Sequence, residues 1–145
     1  MSSHFSSAPD PGATPFFAAL VEWARGDSTV WGCPGHARGE LFAKSPAGRA
    51  FREFFGDNVL LADASNAVEA LGQLLDHTGP IGAGERHAAR TFRADHLFFV
   101  LGGTSASNKM VWNATVGAGD VALVDRNCHK SVVHAIMATG AGWGR

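Results

Sequence analysis

Two short polar segments carry the side chains that could do chemistry in this chain. The first, residues 102–107 (GGTSAS), follows the apolar run 97–101 and precedes a stretch with helical spacing. A turn of small residues at the start of a helix exposes backbone N–H groups at the positive end of the helix dipole, where phosphate groups bind. The hydroxyls of Thr104, Ser105 and Ser107 can donate to phosphate oxygens. The segment fits a phosphate cradle, with an ordinary strand-to-helix turn as the alternative.

The second polar segment, residues 125–131 (DRNCHKS), follows the apolar run 121–124. In open α/β sheets, ligands bind at the carboxyl ends of the strands, so the two segments are expected to face the same site. His129 can present a flat imidazole to a planar ligand whose phosphate the first segment holds. Its alternative role is to cap the next helix. We interpret Asp125 and Arg126 as a structural ion pair.

The elements that position these segments follow from periodicity and end signals. Residues 97–101 and 121–124 are continuous apolar runs, typical of strands covered on both faces, and the helix between them is the crossover that parallel strands need. The fold class is therefore α/β. The predicted helices are Pro15 to Gly26 after an N-cap at Thr14, 47–55, one from Asn66 through Leu75, 85–92 after a loop, 105–116, and one after the second segment that ends near Gly140.

This set of elements predicts an incomplete sheet. Only two strands are evident before the sequence reaches residues 141–145 (AGWGR), where a third strand should enter. Two strands rarely form a stable sheet alone, so the chain is expected to be part of a larger domain.

The composition narrows the function classes. Of the 145 residues, 46% are apolar and 17% charged, which is typical of a soluble globular protein. A net charge of -1 with scattered Lys and Arg argues against nucleic acid or an anionic membrane as partner. The apolar runs are shorter than the ~20 residues of a membrane span. Two cysteines without metal-ligand spacing predict no metal site and a reduced, cytoplasmic setting. Residues 1–13, rich in Ser, Pro and Gly, are predicted to be a disordered tail without a signal peptide.

Several motifs, taken in order, carry a family resemblance. TPFFAALVEWARGD, PGHARG, KSPAGRAF, FFGDN and LGQLLDHTGPI precede GTSASNK, GDVALVDRNCHKS and HAIMATGA. From about Thr14 to Ala141 the chain closely resembles the pyridoxal 5'-phosphate (PLP)-dependent ornithine/lysine/arginine decarboxylases. The resemblance implies that residues 14–145 are the N-terminal portion of an aspartate-aminotransferase-like (PLP fold type I) large domain. It also implies a homodimer or higher oligomer at full length, and a basic amino acid as substrate, converted to its amine and CO2, with arginine or lysine ahead of ornithine.

The resemblance assigns roles to individual residues. Thr104 and Ser105, with the amide of Ala106, match the family's phosphate-binding turn, and His129 matches the histidine that stacks on the cofactor ring. His36 and the turn Asp76-His77-Thr78-Gly79 also match family motifs. For these we leave open active-site shaping, subunit contacts or a structural role.

The chain departs from the family pattern at positions that matter. Gly102 replaces the usual Asn, and Ala106 replaces Thr or Ser, so one phosphate donor is missing. The only lysines are Lys44, Lys109 and Lys130, and none matches the Schiff-base lysine, which lies far downstream in the family. The isolated chain is therefore expected to be inactive. The alternatives are a non-catalytic phosphate- or cofactor-binding module and a partial aminotransferase-like PLP protein.

Overall fold

The computed structural model describes residue 10, residues 12–27 and residues 29–144, without the side chains of 143 and 144. The chain divides into two compact units between Phe98 and Phe99. Residues 1–9 and 11 of the predicted tail lie outside the described residues, so the tail and its boundary at residue 14 stay predictions. Among the described residues, no helix combines the length and the apolarity that a membrane crossing requires.

The first unit is built from helices and short 3-10 turns around a small apolar core. Leu60, Leu71 and Ala89 are its buried apolar residues within the described part of the chain. Its α-helices are α1 (Pro15–Arg25), α2 (Pro46–Phe55), α3 (Asn58–Leu61) and α4 (Gly79–Phe92), and its 3-10 turns are Ala37–Gly39, Phe42–Lys44 and Glu69–Leu71.

Helix α1 confirms the sequence signals at both of its ends. It begins at Pro15, whose missing N–H costs nothing at a first helical position, and it ends before Gly26. Its last carbonyls are satisfied by Arg38, whose guanidinium donates to the oxygens of Ala24 and Gly26. The same guanidinium lies 5.0 Å from the ring centroid of Trp23, a cation–π contact. Arg38 thereby ties the loop after α1 back onto that helix.

Two helix predictions in this unit are wrong in extent. The stretch from Asn66 to Leu75 forms only the turn Glu69–Leu71, because Gly72 adopts φ +84° there and ends it. A side chain on Gly72 would overlap the carbonyl oxygen of Thr78, so the chain reverses tightly at this point. Conversely, α4 begins at Gly79, six residues before the predicted start at Glu85, because the segment predicted as a loop supplies its first turns.

The second unit holds both polar segments. Its α-helices are α5 (Gly103–Thr115) and α6 (Lys130–Thr139), and its strands are β1 (Val121–Leu123) and β2 (Gly142–Gly144). Helices α5 and α6 pack together, and Ala122, Ala135 and Ile136 are the buried apolar residues of this part of the described chain. The two strands pair in parallel, with Ala122 opposite Trp143.

A parallel strand pair joined by a crossover helix agrees in part with the predicted α/β class, but most of the described chain is helical and the predicted strand pair is not the one that forms. Residues 97–100 belong to no helix or strand, whereas β1 forms as predicted and pairs with β2 across the crossover helix α6. A strand exists only where a neighbouring strand accepts its backbone hydrogen bonds. The sheet of the described residues contains only β1 and β2, so residues 97–101 are not part of it. The third strand expected near residue 141 is therefore the second strand observed.

Candidate functional site

The predicted phosphate segment is the exposed first turn of α5. Gly102 occupies the N-cap position without a side-chain cap, so the N–H groups of Thr104 and Ser105 lack helical acceptors, whereas the N–H of Ala106 is the first that an N-cap carbonyl can accept. Thr104 and Ser105 are exposed, and in the described part of the chain their hydroxyls have no hydrogen-bond partner. Gly103 has φ +72°, a conformation that glycine adopts without strain. This end of the helix therefore presents four unpaired donors to an anion: two N–H groups and two hydroxyls.

Ser107 takes no part in this donor set. Its hydroxyl is 3.4 Å from the carbonyl oxygen of Gly103, one turn back along α5. The hydroxyl of Ser107 is thus turned toward the backbone in this structure, and its donation to phosphate stays a prediction.

The two departures from the family pattern in this turn are neighbours in space. A Cβ atom built on Gly102 would lie only 2.8 Å from the Cβ of Ala106. A side chain at 102 would therefore require this turn to shift, and a larger residue at 106 would tighten the contact further. The small residues at both positions fit each other.

His129 lies at the N-cap of α6, where it is anchored by a buried serine. Its Nδ1 accepts a hydrogen bond from the backbone N–H of Ser131 at 3.2 Å and lies 2.9 Å from the Ser131 hydroxyl. Asn108 of α5 donates from Nδ2 to that hydroxyl at 2.8 Å. Ser131 is only 3% exposed, whereas His129 is exposed. The capping role weighed from the sequence is therefore correct, and it leaves the imidazole open to a ligand.

The rest of the second polar segment is organised by its backbone. The Oδ1 of Asp125 accepts from the backbone N–H of Asn127 at 2.6 Å, and the carbonyl of Asp125 accepts from the N–H of Cys128 at 3.0 Å. The predicted Asp125–Arg126 ion pair is absent from the ion pairs of the described residues. An Asx turn supplies the carboxylate with a nearer donor than the Arg126 side chain.

His36, in the first unit, has structural partners. Its Nδ1 accepts from the backbone N–H of Gly39 at 3.0 Å, and its Nε2 lies 3.1 Å from Oδ2 of Asp63. Its ring meets Phe42 edge-on, with the centroids 6.0 Å apart. These contacts support the structural alternative for the PGH motif.

The Asp76–His77 turn also holds a structural contact within the first unit. Nδ1 of His77 lies 2.7 Å from Oε2 of Glu85, whose side chain is buried, and His77 has φ +54°. Asp76 is exposed. The His77–Glu85 pair joins the turn to the second turn of α4, which favours a structural role for His77.

The sequence reasoning missed Asn108 and Ser131. Two signals could have found them. Asn108 follows Thr104 by four residues and so shares its face of α5. Ser131 is the second residue of α6 after the His129 cap, a position whose N–H a capping side chain can bind.

A helix turn with unpaired donors and an exposed histidine at the next helix start, both in one unit with a parallel strand pair, are the features of a candidate ligand site. The family model for the Orn/Lys/Arg decarboxylase major domain matches residues 14–142. The chain belongs to this family of amino-acid decarboxylases.

Individual relatives agree with the family assignment. The chain is 55% identical over 127 residues to the lysine decarboxylase LdcA of Pseudomonas aeruginosa, covering 88% of this chain and 17% of the relative. It is 48% identical over 128 residues to the inducible ornithine decarboxylase of Lactobacillus sp. strain 30a, covering 88% and 18%. The solved constitutive lysine decarboxylase of Escherichia coli matches with a TM-score of 0.79 at 42% identity, covering 93% of this chain and 19% of that one. The chain thus spans less than a fifth of the length of these relatives.

Proposed function

We propose that this chain is the part of a PLP-dependent decarboxylase that holds the cofactor phosphate and covers the cofactor ring. The substrate class is a basic amino acid, converted to its amine and CO2. One observation carries the proposal. Helix α5 has unpaired donors in its first turn, and the same helix is connected to His129 through the hydrogen bonds of Asn108 and Ser131. The family assignment supports the reaction class, and relatives named for lysine and for ornithine leave the substrate within that class open.

The donors of the α5 turn fit a phosphate group. A phosphate dianion accepts hydrogen bonds and is stabilised at the positive end of a helix dipole. The N–H groups and the hydroxyls of Thr104 and Ser105 are donors without a competing acceptor in the described part of the chain. The turn therefore suits the phosphate even though Gly102 and Ala106 supply no side-chain donor.

The proposed roles of the residues follow from this fit. Thr104, Ser105 and, by the family resemblance, the amide of Ala106 bind the phosphate oxygens and fix one end of the cofactor. His129 stacks its exposed imidazole on the ring, which keeps the ring flat and excludes water from one face. When bound, PLP supplies the electron sink for the loss of CO2.

The isolated chain is proposed to release no CO2. Its three lysines are Lys44, in the turn Phe42–Lys44, Lys109, on the exposed side of α5, and Lys130, the first residue of α6. By resemblance, the lysine that bonds covalently to the cofactor and the carboxylate that pairs with its ring nitrogen lie in the downstream part of the family sequence. Without them the cofactor is held only by noncovalent contacts.

The exposed face of β1 supports the proposal that the chain is one part of a larger aspartate-aminotransferase-like domain. Val121 and Leu123 are 78% and 82% exposed, although parallel strands are ordinarily covered on both faces. We extend the proposal to a homodimer or higher oligomer for the full-length protein and to a cytoplasmic setting, which the free thiols of Cys33 and Cys128 support.

The experiment separates binding from turnover. The purified chain is titrated with PLP, followed by absorbance, and then incubated with carboxyl-labelled lysine, ornithine and arginine while CO2 is collected. We expect saturable PLP binding, no CO2 above PLP in buffer, and no site-specific lysine adduct after borohydride. The full-length lysine decarboxylase of P. aeruginosa is the positive control.

Each arm of this experiment can contradict one part of the proposal. Release of CO2 by the chain would overturn the proposed inactivity. Binding of inorganic phosphate as tight as that of PLP would instead favour the general phosphate-binding module, because a ring-stacking histidine adds nothing for phosphate alone.

A further inference from the structure

The side chains of Asn108, Ser131 and His129 form a hydrogen-bonded chain from α5 to the N-terminus of α6. The distances along it are 2.8 Å from Asn108 Nδ2 to Ser131 Oγ and 2.9 Å from that oxygen to His129 Nδ1. Its middle member is 3% exposed, so water does not compete for the Ser131 hydroxyl. A satisfied network of this kind has a defined direction of donation.

The donor and acceptor roles follow from the chemistry of each group. The amide nitrogen of Asn108 can only donate, so the Ser131 oxygen accepts and its own proton is left to point elsewhere. The backbone N–H of Ser131 also points at His129 Nδ1, at 3.2 Å. A nitrogen that faces two donors carries no proton of its own. In neutral His129 the proton therefore resides on Nε2.

We propose that Asn108 and Ser131 are positioning residues that hold His129 as the Nε2–H tautomer with its ring at a fixed angle to α5. Their importance for the cofactor rests on the proposed function, whereas the tautomer is a property of the free chain. Asn108 lies four residues after Thr104 on the same face of α5, so one helix carries both the phosphate donor and the anchor of the ring. The distance between the proposed phosphate-binding turn and the His129 ring is thereby fixed.

Nitrogen NMR of the uniformly ¹⁵N-labelled free chain tests the tautomer directly. In the wild-type chain we expect the Nδ1 resonance of His129 at the position of an unprotonated nitrogen and Nε2 at that of a protonated one. Ser131→Ala removes the hydroxyl donor, and Asn108→Asp replaces the donor to Ser131 with an acceptor, which turns the serine proton away from His129. Because the backbone N–H of residue 131 still faces Nδ1 in both variants, Nδ1 should stay unprotonated, and the loss of the hydroxyl donor should shift its resonance measurably from the wild-type position.

Matched control variants leave the network untouched. Asn113→Ala removes an amide from the same helix that bonds only to the carbonyl of Lys109, at 2.7 Å. Ser107→Ala removes a hydroxyl that contacts only the carbonyl of Gly103. Neither should shift the His129 resonances. A wild-type His129 protonated on Nδ1, or resonances that Ser131→Ala and Asn108→Asp leave in place, would overturn the proposal.

Ligand affinity tests the consequence for the site. Ser131→Ala should weaken PLP binding roughly tenfold, the effect of one lost hydrogen bond, while inorganic phosphate binding stays unchanged. An equal loss for both ligands would show that Ser131 supports the α5 turn rather than the ring, against the proposal. Failure of the wild-type chain to bind PLP would remove the proposed function, while the NMR experiment would still decide the tautomer.

Discussion

At the scale of single residues, the candidate site contains both unpaired and hydrogen-bonded polar groups. Thr104 and Ser105 have exposed hydroxyls without partners in the described part of the chain, whereas Ser131 is buried and fully engaged. His129 has one engaged nitrogen, Nδ1, and an exposed ring. The unpaired donors are available to bind a ligand, whereas the hydrogen-bonded groups stabilise the conformation of the site.

The first prediction concerns the two open hydroxyls. The double variant Thr104→Ala/Ser105→Ala should weaken PLP binding by at least tenfold, because hydrogen bonds to a charged group contribute roughly 1.5–3 kcal/mol each. Thr115→Ala is the matched control, since its hydroxyl bonds to the carbonyl of Val111 at the far end of the same helix. Equal affinity of the double variant and the control, measured by absorbance titration, would argue against the α5 turn as the phosphate site.

The second prediction concerns the backbone of that turn. Gly103→Ala should lower the free energy of unfolding by about 1–2 kcal/mol, because an L-residue is strained at φ +72°. A Cβ on Gly103 would meet no neighbouring residue within 4 Å, so the expected strain comes only from the local backbone conformation. Urea denaturation measures the change. Gly117→Ala, in the same unit and without a positive φ, is the control and should be close to neutral; a neutral Gly103→Ala would contradict the strained turn.

At the scale of elements, helix starts depend on close backbone approach as well as on caps. Helix α4 begins at Gly79, which lies against the backbone of Gly72 in space, and its first turn packs on the chain that leads into it. Gly82 is buried there, so that a Cβ would overlap the carbonyl oxygen of His77. The glycines of this segment look like loop residues in the sequence, yet they are what lets the helix start.

The third prediction follows from that contact. Gly82→Ala should destabilise the chain by about 2 kcal/mol, the usual scale of overpacking. Helix propensity alone would give the opposite sign, since alanine is favoured over glycine by ~1 kcal/mol in a helix. Urea denaturation against Gly35→Ala, which has nothing within 4 Å of its Cβ, checks the result. A stabilised Gly82→Ala would show that propensity outweighs the contact.

At the scale of the whole molecule, each compact unit has buried residues of its own. Leu60, Leu71 and Ala89 belong to the first unit, and Ala122, Ala135 and Ile136 to the second. Ile136 is the one large side chain fully buried among the described residues. The stability of the second unit therefore depends heavily on a single side chain.

The fourth prediction tests that dependence. Ile136→Ala should cost roughly 2–5 kcal/mol through lost burial and the cavity left behind. Hydrogen exchange should quicken chiefly in α5 and α6, whose residues surround that core, and much less around Leu60 and Leu71. Met137→Ala, at a neighbouring position 64% exposed, is the control and should change little. Equal quickening in both units would contradict the assignment of separate cores.

Much of the fold and the location of the candidate site could be predicted from sequence, because their signals are local. Pro15 and Gly26 bound α1, and helical spacing marks α2, α5 and α6 closely. The motifs place Thr104, Ser105 and Ala106 in one helix turn and His129 at the next helix start, as the structure has them. Their ligand contacts remain predictions.

The tertiary structure decided which groups find partners through space. Residues 97–101 have the composition of a strand but are not part of the sheet, while Gly142–Gly144, with little strand propensity, pairs with β1. Asp125 bonds to backbone rather than to Arg126, and Asn108 reaches Ser131 across two helices. Sequence determines what each segment prefers by itself, but hydrogen bonds between distant segments depend on distances that only the packed chain sets.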